Sequence, residues 1–214
     1  MDFFARYNFT IDETDPEDRE VGVDPEMLGK IFENLLEDNK DKGAFYTPKE
    51  IVQYMCRESL IAYLTEETQD EPAMRDLVLN HNIQTIRDKD AVLSALESVK
   101  ICDPAVGSGA FPMGMLNELF ACRTLLERDS ADEENRSRIK KESVRENIYG
   151  VDIEKGAVDI ARLRFWLAII VDEKIPLPLP NLDYKIMQGN SLLESYEGED
   201  LSNLTQSNGE LFDS

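Results

Sequence analysis

Between residues 98 and 194, short apolar runs alternate with longer segments of helical periodicity, and this alternation constrains the fold more than any other feature. Val99-Lys100-Ile101-Cys102-Asp103 reads as a short strand, stopped by Pro104 and by the glycines Gly107 and Gly109. A helix is predicted from Ala110 or Phe111. It tolerates Pro112 in its first turn and carries Met115, Leu116, Leu119, Phe120 and Leu125 at helical spacing. A charged stretch, Arg128 to Glu146, leads to a second strand, Ile148-Tyr149-Gly150-Val151-Asp152. Ala157, Ile160, Ala161, Leu163, Leu167, Ala168 and Val171 mark a strongly apolar second helix. The prolines of Ile175–Pro180 require an extended connection, and Tyr184-Lys185-Ile186-Met187-Gln188 is a third strand ending at Gly189-Asn190. This order predicts an α/β fold, an open parallel sheet with helices on both faces. Ligands of such sheets bind beyond the carboxyl ends of the strands, so the residues after each strand are the candidates for function.

Upstream, Pro25 opens a predicted helix through Met27, Leu28, Ile31, Phe32, Leu35 and Leu36. Thr47 is the expected N-cap of a second helix, with Pro48 in its first turn and Ile51, Val52, Met55, Leu60 and Leu64 on its apolar side. Shorter helices are expected between Met74 and Leu96. The resulting division is an acidic flank over 1–42 with one helix, a helical segment over 43–97, the α/β domain over 98–194 and a polar, weakly ordered tail over 195–214.

Charge narrows the function. With 23 basic against 44 acidic side chains the net charge is −21, a field that repels phosphate backbones and disfavours a general nucleic-acid binder. The 3 cysteines (Cys56, Cys102 and Cys122) form no CxxC pair and His81 is the only histidine, which excludes a zinc ribbon and any histidine-dependent catalysis not centred on His81; no metal is expected. No secretory leader and no apolar run long enough to span a bilayer is apparent, so the expected location is the cytoplasm.

The glycines after the first strand let a ligand approach the backbone, at the N–H groups of the following helix. They form neither a dinucleotide fingerprint nor a phosphate-binding P-loop. Asp103 before the turn suits a cationic ammonium group. Asp152, after the second strand, can accept both hydroxyls of a ribose or cap the helix beginning near Glu154, while Ile153 can cover a base. Asn190-Ser191, after the third strand, can meet an adenine edge or make an Asx turn.

This ordered set resembles the amino-group DNA methyltransferases that modify adenine N6, in their gamma arrangement. Asp103-Pro104-Ala105-Val106-Gly107-Ser108-Gly109-Ala110-Phe111 is similar to their motif I, and Gly43-Ala44-Phe45-Tyr46-Thr47-Pro48 to motif X, which precedes it. Tyr149-Gly150-Val151-Asp152-Ile153 matches motif II and Gly189-Asn190-Ser191-Leu192 motif III. Asp159 to Leu167 has the look of the matching helix in large restriction–modification and phage-defence methyltransferases. The resemblance covers residues 25–194. It implies a Rossmann-like S-adenosylmethionine-binding sheet, here partial with about three strands. Thr47, Asp103, Ala105 and Gly107 would lie near the methionine part, with Pro48, Pro104, Ser108, Gly109 and Ser191 in the same motifs. Asp152 would hold the ribose, Ile153 would lie against the adenine and Asn190 would reach its amino group. Phe45, Tyr46 and Phe111 would shape the pocket, with core packing the competing role for each.

The departure from the family is the missing Asn- or Asp-Pro-Pro-Tyr/Phe sequence, which in these enzymes receives the flipped adenine. The chain contains no Pro-Pro, so no catalytic residue is assigned, and the sequence is expected to be a cofactor-binding part truncated before that motif and inactive alone. Double-stranded DNA would be met through the absent C-terminal part, with specificity or nuclease subunits as further partners and no membrane. Two other readings are a non-catalytic S-adenosylmethionine-binding or interaction module of a multisubunit complex, and a fragment of an RNA or protein methyltransferase.

Overall fold

A computed structural model describes residues 47–127, 133–170, 182, 184–193, 195–196 and 199–200. The helix expected after Pro25, the acidic stretch before it, the aromatic pair Phe45-Tyr46 and the Ile175–Pro180 connection lie outside the described residues.

Among the described residues three helices come first: α1 (Lys49–Thr68), α2 (Glu71–Asn80) and α3 (Lys89–Ser98). The helix after Thr47 starts one residue later than the capping pattern predicts. Pro48 keeps an extended ψ of 142° and occupies the N-cap position itself, so no side chain caps this end. Its carbonyl instead accepts from the amides of Ile51 and Val52. Asp70 and Asp88 cap α2 and α3 by accepting from the amides of Ala73 and Ala91. His81 ends α2 in a left-handed conformation, with its amide on the Leu77 carbonyl.

The α/β part follows as β1 (Ile101–Asp103), α4 (Ala110–Leu126), α5 (Glu133–Glu142), a π-helical turn (Ser143–Asn147), β2 (Ile148–Asp152), α6 (Lys155–Ile170) and β3 (Ile186–Gln188). The strands pair in parallel in the order β1-β2-β3, with Ile101 beside Ile148 and Gly150 beside Ile186. Beyond them, β4 (Ser195–Tyr196) and β5 (Glu199–Asp200) form an antiparallel pair in the region expected to be weakly ordered.

The sequence pattern predicts helices on both faces; among the described residues both crossover helices lie on one face. The strand order advances in one direction, so two right-handed crossovers bring both helices to the same side. The burial agrees, because α4 and α6 touch, and Met113, Leu116, Val158, Ala161 and Phe165 share one core cluster with Ile148 and Ile186. By the register, Cys102, Tyr149, Val151 and Met187 point the other way, and among the described residues no helix covers that face.

A second cluster joins α1, α2 and α3 to the back of α4 through Leu60, Leu64, Leu77, Leu96, Leu119 and Cys122. Gly114 permits the approach: a β-carbon there would lie 2.8 Å from Val52 Cγ1 and 2.9 Å from Cys56 Sγ. The first turns of α1 are thereby held against the first turns of α4, beside the glycine loop. Among the described residues no helix is long and apolar enough to cross a membrane.

Candidate functional site at the strand ends

The loop Pro104–Gly109 connects β1 to α4, and nearly every residue of it is tied down by hydrogen bonds. The Asp103 carboxylate turns back to accept from the Ala105 amide at 3.0 Å. The Val106 amide donates to the Val151 carbonyl of β2 at 2.9 Å, and the Gly109 amide to the Val106 carbonyl at 2.8 Å. Both glycines take positive φ, 52° at Gly107 and 88° at Gly109. They differ in their surroundings. A β-carbon on Gly109 would meet that of Ala161 at 3.1 Å, so Gly109 serves the packing of the loop on α6. Among the described residues a β-carbon on Gly107 would meet nothing within 4 Å, so Gly107 faces open space there.

Asp152 joins two of the strand ends. Its Oδ2 accepts from the Gly107 amide at 2.8 Å and its Oδ1 from the Glu154 amide at 2.9 Å. The helix-capping role given as the alternative for this acid takes the form of a bond to the residue just ahead of α6, which starts at Lys155, together with a contact across to the β1 loop. Each carboxylate oxygen retains a second lone-pair direction for a hydroxyl donor. Ile153, next along, is 72% exposed.

The third strand end is tied to the first. Ser191 Oγ donates to the Pro104 carbonyl at 2.7 Å, and Gln188 Nε2 to the Ile153 carbonyl at 3.1 Å. Asn190 makes the Asx turn, its Oδ1 accepting from the Leu192 amide at 3.0 Å, and stays exposed.

On the other side of the loop, a groove of about 430 Å³ lies along the β1 edge, where Asp103, Pro104 and Phe111 meet Met55, Ser59 and Tyr63 of α1. Burial pushes the Asp103 carboxyl above the ordinary aspartate range, as does the charge of Asp152, against the opposing pull of the Ala105 amide. The Cys56 thiol in the same wall is pushed up to about 12, chiefly by burial, and donates to the Phe111 carbonyl. It is a packing group there, not a nucleophile.

The structure thus brings together Pro104, Gly107, Asp152 and Ser191 through hydrogen bonds, and Asp103, Pro104 and Phe111 along the groove. Thr47 and Pro48 stand one turn ahead of Val52 at the start of α1, with no hydrogen bond to the loop among the described residues. Sequence reasoning missed Arg164, whose Nη1 donates to the Ser108 carbonyl at 2.9 Å. Among the described residues no group of 3 or more His, Cys, Asp or Glu side chains is placed to hold a metal ion.

No protein-family model matches the chain. It is similar to a protein of Methanocaldococcus jannaschii named “Putative type II restriction enzyme and methyltransferase”, with 31% identity over 90% of this chain. The matched stretch is 18% of that relative's length, so the chain corresponds to a small part of it.

Proposed function

We propose that the strand-end cluster binds S-adenosylmethionine, and that the chain is the cofactor-binding part of a restriction–modification methyltransferase acting on adenine N6 in DNA. The observation that carries the proposal is the meeting of Asp152 with the Gly107 amide, 2.8 Å apart, beside a glycine that faces open space. A carboxylate, a backbone accessible to a ligand and an exposed apolar side chain at Ile153 are the groups a ribose and a base require. The name of the Methanocaldococcus relative, which includes a methyltransferase, supports this choice among nucleoside ligands.

The residues present fit the cofactor. Asp152 would accept from the ribose hydroxyls through its remaining lone pairs, and Ile153 would cover the adenine. Asp103, in the groove wall beside Phe111, carries the charge that an ammonium group would meet. Asn190 would contribute its carboxamide at the adenine edge while keeping its turn. When bound, S-adenosylmethionine supplies an electrophilic methyl group on a sulfonium. The chain's own residues bind and orient it, and the group that would hold a flipped adenine is not assigned to any of them. Adenine specificity and gamma arrangement are inferred from motifs X, I, II and III; DNA, specificity or nuclease subunits and a cytoplasmic location go with that inference.

Calorimetry with S-adenosylhomocysteine tests the site. The chain should bind it, and Asp152→Asn should weaken binding by about 1.5–3 kcal/mol, the range for hydrogen bonds to a charged group. Equal affinity in the variant would return Asp152 to a purely structural role.

A further inference from the structure

We infer that Arg164 is a positioning residue, whose buried guanidinium sets the shape of the glycine loop and through it the affinity of the site the loop lines; this rests on the cofactor reading above. The loop lies on α6. Ala161 closes against Gly109, and Phe165 lies just beyond. Arg164, on the same helix, is 5% exposed. Its Nη1 donates to the Ser108 carbonyl at 2.9 Å and approaches the Ser108 hydroxyl at 3.4 Å. A cation so far from water is retained only where hydrogen bonds offset its lost hydration.

What it holds is one peptide plane. The unit between Ser108 and Gly109 is rigid, so fixing its carbonyl also fixes the direction of its N–H. That N–H donates to the Val106 carbonyl at 2.8 Å. Pro112, four residues on, has no N–H to donate to the Ser108 carbonyl, and the Met113 amide donates to the Gly109 carbonyl. Arg164 thus anchors the Ser108 carbonyl from the side of α6. Gly109 closes this peptide unit and Gly107 lies one residue before it, and both occupy the region where glycine has alternatives. With the guanidinium gone, the plane is free to turn its carbonyl toward the open side over Gly107. The Gly107 amide would then lose its alignment with Asp152.

The test compares the 214-residue chain with Arg164→Met, Arg164→Lys and a packing control, Ile169→Ala, elsewhere on the same helix. Two quantities are read: amide hydrogen exchange at Gly107 and Gly109 by NMR, and affinity for S-adenosylhomocysteine by calorimetry. In Arg164→Met both glycine amides should exchange about tenfold faster or more, and affinity should fall by about the same factor. Arg164→Lys, with a single shorter donor, should give about a threefold change in each. Ile169→Ala should lower the unfolding midpoint and leave both readouts near parental. Parental exchange at the two glycines in a folded Arg164→Met protein would overturn the inference, as would equal shifts in the control. Should Arg164→Met not fold, Arg164→Lys decides by the same two readouts, parental values overturning it. If the parent chain binds no S-adenosylhomocysteine, the cofactor reading fails, while the exchange rates still decide whether Arg164 shapes the loop.

Discussion

Asp103 carries a charge whose retention in a partly buried position has a consequence for pH. Burial, reinforced by Asp152, raises its folded-state pKa above the unfolded value. The folded protein then binds a proton that the unfolded chain releases, so this residue's contribution to stability is fully present below the unfolded pKa and is lost as pH rises through the folded one. Above that pKa the ionised carboxylate is therefore a net cost to folding, and in that form it attracts a cation. A ligand bringing an ammonium group should restore the charged form and lower the pKa again. Binding of S-adenosylhomocysteine should consequently weaken as pH falls through the raised pKa of Asp103, with proton release on binding in the window just below it. Calorimetry in buffers of different ionisation enthalpy measures that release, which Asp103→Asn should abolish. A variant with unchanged proton linkage would place the ammonium group away from Asp103. Asp103 and Asp152 could be picked out in the sequence because each acid directly ends an apolar strand. Arg164 could not, because an arginine one turn from an apolar stripe reads as solvated, and only the tertiary packing of α6 against the loop reveals that it is buried.

Elements differ in the same way. Strands β1 and β2 and helices α4 and α6 show apolar patterns bounded by glycine, proline and acids, and they form where those patterns lie. Helix α5 has Ile139 as its one aliphatic residue, so the charged stretch around it offered no periodicity to read. It is held from outside: the guanidinium of Arg123 in α4, 2% exposed, reaches Glu142 at 2.9 Å and Glu127 at 2.8 Å, and Lys140 donates to the Ala168 carbonyl. The π-helical turn after it delivers Asn147, fully buried, to the start of β2. Its Nδ2 donates to the Glu97 carbonyl at 2.9 Å and the Val99 carbonyl at 2.8 Å, joining the end of α3 and the approach to β1 to the approach to β2. This side chain sets how β1 and β2 enter the sheet. Asn147→Ala would leave buried carbonyls without a donor, at about 1–3 kcal/mol for each group left unsatisfied. Urea unfolding should show the midpoint falling with little change in slope, and a loss below about 0.5 kcal/mol would mean that water replaces the amide. The placement of both crossover helices on one face was equally hidden, because it depends on strand order and not on any single segment.

At the scale of the whole molecule, the net charge is −21, and among the described residues several arginines are already engaged by carboxylates. Arg57 pairs with Glu118, Arg75 with Glu58 and Glu71, Arg123 with Glu127 and Glu142, and Arg138 with the same two acids. A cation neutralised by a neighbouring carboxylate releases no counterion when a phosphate approaches, and the net negative charge opposes the approach. The proposed methyl-group chemistry on DNA therefore separates into two tasks, and these 214 residues are suited to the first, holding the cofactor, more than to the second, holding the polyanion. Within that division, cofactor binding should depend less on ionic strength than any binding of DNA, because the proposed Asp103–ammonium pair is partly buried and the remaining contacts are hydrogen bonds around Asp152 and the glycine loop. The isolated chain should show no saturable binding to duplex DNA up to about 100 µM at physiological salt, the weak end of ordinary non-specific affinity. Fluorescence anisotropy of a labelled duplex, titrated at several salt concentrations, measures this. Binding that tightens steeply as salt is lowered would require a basic face that overcomes the net charge, and the DNA contacts would then belong to this part of the protein after all.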